Sequence, residues 1–181
     1  MTRAFRARRT FYGWKSSANS RMNHPMSSQQ SRTLIIGVGN EYRCDDGAGL
    51  IVARRLKQQM RDDVTVLEQS GDGAALMEAW KGADTVILID AVNSGTEAGT
   101  IHRLEAHAQP IPQRFFRYST HAFSVAEAIE LARALGELPG RLIVFGIEGK
   151  TFKAGNGLSG EVEIAVRDVV ERVINELARS S

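Results

Sequence analysis

The chain has 181 residues, 43% of them hydrophobic and 24% charged, with a formal net charge of +2; that is room for one globular domain with a sizeable core. No run reaches the roughly 18 apolar residues of a membrane-spanning helix, and the single cysteine, Cys44, excludes an internal disulfide and cysteine-rich zinc sites. Arg3, Arg6, Arg8, Arg9, Lys15, Arg21 and Arg32 all precede the first acid, leaving 16 basic against 21 acidic residues, a net −5, in the rest, which argues against nucleic acid as its partner.

Residues 1–31 carry Arg, Ser, Asn and Gln without sustained periodicity and are predicted to be a disordered basic extension. No apolar stretch follows Arg8-Arg9-Thr10-Phe11, so export is not expected. The lone cysteine suits a reducing cytoplasm, the expected location. Residues 32–181 read as a single α/β domain.

Thr33 to Val38 is an apolar run predicted as the first strand. Apolar residues at 49, 52, 53, 56 and 60 then fit one helical face. Val64 to Leu67 is a second strand, broken by Gly71-Asp72-Gly73, and Ala74 to Trp80 a short helix. Val86-Ile87-Leu88-Ile89 is the centre of a third, buried strand that Asp90 closes. Thr100 to Leu104 alternates weakly, as an edge strand does, and places His102 toward solvent with His107 beyond it. After a loop with Pro110 and Pro112, a helix with Val125, Ile129, Ala132 and Leu135 on one face is predicted, capped by Ser119 or Thr120 and begun by His121. Leu142 to Phe145 is another buried strand, residues 148–160 are a Gly-rich loop, and the last helix runs from about Glu161 to Ala178. This alternation predicts an α/β fold: a three-layer αβα arrangement in which a twisted, mostly parallel sheet of about five strands has helices on both faces.

Chemistry gathers just past the strand ends, where open α/β sheets place their sites. Gly37-Val38-Gly39 ends the first strand, and Asp45-Asp46 opens the helix after it. No Gly-Lys-Ser/Thr follows, so this is no Walker loop. The third Gly of a dinucleotide fingerprint is missing, and carboxylates stand where a pyrophosphate would lie; they suit a cation better. Asp45 and Asp46, Asp90 and His121 converge at these strand ends, and two carboxylates with the imidazole would make a three-ligand cation site with open positions, of the kind that suits zinc, nickel or iron. A helix N-terminus disfavours protonated imidazole and so keeps His121 ready for a metal. Each residue also has a plainer explanation: Asp46 as a helix cap, Asp90 as an acceptor of turn amides, His121 as a surface histidine. Cys44, beside two acids, is expected to stay a thiol and to be a poor nucleophile.

In these residues the chain resembles the maturation endopeptidases of nickel-iron hydrogenases. The matching parts are Gly37-Val38-Gly39-Asn40 with Asp45-Asp46-Gly47-Ala48-Gly49, Val86 to Ala91, Gly99 to Arg103, Ser119-Thr120-His121, and Gly146-Ile147-Glu148-Gly149 with Gly157-Leu158-Ser159. The resemblance spans about residues 33 to 178. It implies a twisted, mostly parallel sheet between helices, and an endopeptidase that removes the C-terminal extension of a hydrogenase large-subunit precursor after nickel insertion. It also implies that Asp46, Asp90 and His121 recognise nickel presented by that precursor and serve in the cut, with Asp45 a neighbour or cap. Zinc or cadmium is expected to occupy the same site in vitro. The precursor is the expected partner, with no nucleic acid or membrane, and the enzyme is expected to be a monomer. Gly71-Asp72-Gly73 and Gly160 depart from the family pattern. The competing reading is a non-catalytic metal-sensing or nucleotide-binding α/β module; an aminopeptidase with its own two metals needs more ligands than the chain supplies.

Overall fold

The computed structural model describes residues 32–60, 63–112 and 124–179. Strand β1 (Thr33–Val38) is followed by a 3-10 turn (Cys44–Gly47) and helix α1 (Ala48–Lys57); β2 (Val64–Gln69), α2 (Gly73–Ala79), β3 (Thr85–Val92), β4 (Ile101–Glu105), α3 (Val125–Leu135), β5 (Arg141–Glu148) and α4 (Gly160–Ala178) complete the order. The predicted basic extension, residues 1–31, lies outside the described residues, as do Ser119, Thr120 and His121.

The five strands form one sheet in the order β2-β1-β3-β5-β4. All neighbours are parallel except β4, which runs antiparallel to β5 at the edge. The three central strands β1, β3 and β5 are buried from their second residue onward, because both faces of a parallel sheet are covered and their sequences are apolar on both. Side chains of alternate residues go to opposite faces. Ile35, Ile87, Ile89, Ile143 and Phe145 meet α1 and α4 through Val52, Leu56, Val166 and Val169. Leu34, Ile36, Val86, Leu88 and Val144 meet α2 and α3 through Leu76, Ala128 and Ile129. This is the predicted three-layer arrangement.

Several boundaries differ from the sequence reading. β3 continues two residues past Asp90, because Ala91 and Val92 pair with Ile147 and Glu148 of β5. α3 begins after Ser124, not Ser119 or Thr120: the Ser124 side chain accepts from the Glu127 amide while Glu127 returns a bond to the Ser124 N–H at 2.7 Å, a capping box that sets the start. Leu135 is exposed, so the apolar face of α3 ends one turn earlier. His102 and His107 are half-buried, not solvent-facing.

Chain direction reverses across the sheet at β1: one crossover leads outward to β2, and the next returns past β1 to β3. The crevice at the C-terminal ends of β1 and β3 is therefore the switch point, where this class of sheet opens.

Candidate functional site

Two glycines bring the segment after β1 onto the sheet. Gly39 has φ +146°, and a Cβ there would lie 1.9 Å from the Asp46 carbonyl oxygen. At Gly49 a Cβ would lie 2.3 Å from the Val38 carbonyl oxygen and 2.4 Å from that of Ile89. The first turn of α1 thus rests directly on the ends of β1 and β3. Backbone bonds close the turn: Asn40 N–H donates to the Asp46 carbonyl at 3.3 Å and Asp46 N–H to that of Arg43 at 3.2 Å.

The paired aspartates have different tasks. Asp45 is fully buried. Its Oδ2 accepts from the Lys150 and Thr151 amides, both at 2.9 Å, and from the Ser159 hydroxyl at 3.0 Å, while Oδ1 accepts from the Ser159 amide at 2.7 Å. It ties the Gly-rich loop after β5 to the 3-10 turn. The Ser159 hydroxyl is spent on Asp45, which is why α4 starts without a side-chain cap. Asp46 is different: its side chain is 27% exposed, and the Arg43 guanidinium lies beside it, Nε to Oδ2 4.0 Å.

Asp90 arrives from β3. It sits opposite Gly146 of β5 and is 8% exposed. Burial pushes its carboxyl well above the usual carboxylate range, and the negative charge of Asp46 pushes it further; a hydrogen bond from the Ala91 amide opposes both. Positions 46 and 90 are therefore electrostatic neighbours. His121 lies outside the described residues, and among these no group of three His, Cys, Asp or Glu is arranged to hold a metal.

Residues that the sequence reading left aside also shape the crevice. Glu148, at the end of β5, is 1% exposed. Its Oε1 accepts from the amides of Ser94, Gly95 and Thr96 at 2.8, 2.9 and 3.2 Å, and its Oε2 from the Ser94 hydroxyl at 2.9 Å. His102 Nε2 lies 3.5 Å from the same carboxylate and 3.2 Å from the Thr96 hydroxyl. The loop that follows Asp90's strand is thereby folded around one buried acid. An acid ending an otherwise apolar strand was the available signal. In the departing loop 71–73, Asp72 caps α2 by accepting from the Ala75 amide at 2.8 Å. Two grooves flank the exposed Tyr42: one of about 500 Å³, lined by Gly39, Asn40, Arg54, Gln69 and Ser70 among others, and one of about 340 Å³, which includes Cys44 and Leu158.

One acid on the 3-10 turn after β1 and one near the end of β3 thus meet at the switch point of the sheet. The family model described as hydrogenase maturation protease matches residues 50–176. The chain belongs to the hydrogenase maturation protease family.

Among relatives of this protease family, the chain is 28% identical over 153 residues to the hydrogenase 2 maturation protease of Escherichia coli, a match covering 82% of this chain and 92% of that one. It is 29% identical over 126 residues to the hydrogenase expression/formation protein HupD of Bradyrhizobium diazoefficiens, covering 68% of this chain and 66% of that relative, just under two thirds of its length. In three dimensions it is similar to the hydrogenase maturating endopeptidase HybD of E. coli, with TM-score 0.71, 25% identity, and 83% and 94% of the two chains covered. No helix among the described residues of this maturation protease is long and apolar enough to cross a membrane.

Proposed function

We propose that this protease removes the C-terminal extension of a nickel-iron hydrogenase large-subunit precursor, and that Asp46, Asp90 and His121 read the nickel which the precursor already holds. The observation that carries this reading is the electrostatic opposition of Asp46 and Asp90. Burial first and the Asp46 charge second raise the Asp90 carboxyl above its ordinary value; a divalent cation between the two acids would relieve their repulsion. A precursor that brings a cation gains binding free energy that an empty one lacks.

In the cut, Asp46 is the better placed of the two to accept a proton from the attacking water, being the more exposed. The nickel belongs to the substrate; zinc or cadmium would take its place on the isolated enzyme. The enzyme would work in the cytoplasm as a monomer, with the basic residues 1–31 dispensable. The deciding experiment is incubation of the enzyme with nickel-loaded and nickel-free precursor, read by mass. The loaded form should lose its extension and the empty form should persist. Efficient cutting of the empty precursor would leave only a generic peptidase.

A further inference from the structure

Arg43 holds a contradiction that the reaction can resolve. Its backbone is fixed on both sides: it forms an isolated parallel bridge with Gly155, and the amides of Cys44 and Gly155 donate to Gly155 and Tyr42 carbonyls at 2.9 Å each. Its Nη2 donates to the Phe152 carbonyl at 3.0 Å. Its Nε, however, is shut away from solvent and has no hydrogen-bond partner, alone in this among the buried side-chain polar atoms of the described residues. A buried charged donor left unpaired is costly, and native structures rarely keep one without a task.

The burial of Nε limits what can satisfy it. No substrate atom reaches a shielded nitrogen, so the acceptor must come from this chain. Asp46 Oδ2 stands 4.0 Å away, about 1 Å beyond a hydrogen bond, a gap that a shift of the two side chains toward each other would have to close. The charge of Arg43 opposes a cation in the crevice, so Arg43 does not serve as a metal partner itself. It acts on the carboxylate.

We propose that Arg43 is a positioning residue for Asp46: when the precursor docks, Nε–H takes Oδ2 and leaves Oδ1 aimed at the reacting centre. Groups that touch a metal are commonly oriented in this way by a partner behind them. The inference rests on the endopeptidase reading above. It adds a residue to which that reading gives no role.

The test uses the full chain and nickel-loaded precursor, with Arg43→Met, which keeps length and loses the donors, and Arg43→Lys, which keeps the charge and one donor head. Positioning predicts that Arg43→Met lowers kcat about tenfold while KM stays within twofold and the melting temperature within a few degrees, and that Arg43→Lys regains a measurable part of kcat. Unchanged kcat in Arg43→Met overturns the proposal. So does a lost kcat that comes with an equally altered KM or a large drop in melting temperature, or an Arg43→Lys no better than Arg43→Met. If the wild type leaves the loaded precursor uncut, the endopeptidase reading fails first and carries this inference with it; wild-type cutting with any of the preceding failures sinks the Arg43 role alone.

Discussion

Asp45 and Ser159 are joined twice, amide to Oδ1 at 2.7 Å and hydroxyl to Oδ2 at 3.0 Å, across 114 residues of sequence. With the Lys150 and Thr151 amides also on Oδ2, every contact that Asp45's side chain makes is with a donor. A carboxamide cannot replace it. Either orientation of Asn turns an NH₂ group toward at least one buried N–H, and the lost charge weakens the bonds that remain. Asp45→Asn should therefore cost roughly 3 kcal/mol or more of stability. Asp46→Asn, partly exposed, should cost below about 1 kcal/mol. Urea melts of the two variants check this. Equal stabilities would mean that the neighbouring acids do not divide their work as the contacts show.

Asp90 sets a pH dependence of stability. Unfolded, its carboxyl titrates near the ordinary value of about 3.9; folded, burial first and the Asp46 charge second raise it well above that. Between the two values the native chain keeps a proton that the unfolded chain releases. This contribution is complete below the unfolded value and is lost as pH rises toward the native one. Asp90→Asn should flatten that decline and leave the protein more stable than wild type at neutral pH, while abolishing discrimination between loaded and empty precursor. Denaturant melts from pH 4 to 8 on both proteins supply the comparison, and parallel curves would show that Asp90 is not held protonated.

Which parts of this were legible in the sequence follows from range of interaction. Thr33–Val38 and the runs at Val86 and Leu142 are apolar on both faces, so the three central strands can be located from them. The extension of β3 through Val92 is set by pairing with β5, which no local pattern encodes. The cap at Ser124 is legible in the Ser124-x-x-Glu127 spacing, which competes in the sequence with Ser119 and Thr120. Asp46 and Asp90 stand out in the sequence as acids directly after apolar runs, and the topology brings the ends of β1 and β3 together. Asp45 and Asp46 look alike in sequence; only the three-dimensional return of residues 150–159 separates anchor from crevice acid. Arg43 and Glu148 escaped for the same reason, since their partners lie 109 and 54 residues away.

Cys44 adopts φ +52°, the one positive φ at a non-glycine residue among the described residues. That conformation costs a side-chain-bearing residue about 1–2 kcal/mol. Cys44→Gly should relieve it, offset in part by the greater freedom of glycine in the unfolded chain, and leave stability within roughly 1 kcal/mol of wild type. Cys44→Ser should behave like wild type in cleavage, because the proposed cut gives the Cys44 thiol no part. Loss of turnover in a well-folded Cys44→Ser would reopen a cysteine mechanism.

Glu148 offers a contrast with Asp45, since its two oxygens face different surroundings. Oε1 meets three amides, which can only donate. Oε2 meets the Ser94 hydroxyl and His102 Nε2, and both of these can turn from donor to acceptor, the hydroxyl by rotation and the ring by tautomer. Glu148→Gln can therefore keep its oxygen on the three amides and set its NH₂ toward the adaptable pair, at a cost of about 1 kcal/mol. Glu148→Leu orphans three buried N–H groups at once and should cost at least 3 kcal/mol, counting roughly 1 kcal/mol or more for each. The loop at 94–96 follows directly from the strand that carries Asp90, so its amides should exchange hydrogen faster in Glu148→Leu and near the wild-type rate in Glu148→Gln. Cleavage of loaded precursor should rank the same way. Should Gln prove as damaging as Leu in both melting and exchange, the Oε2 side needs a negative charge.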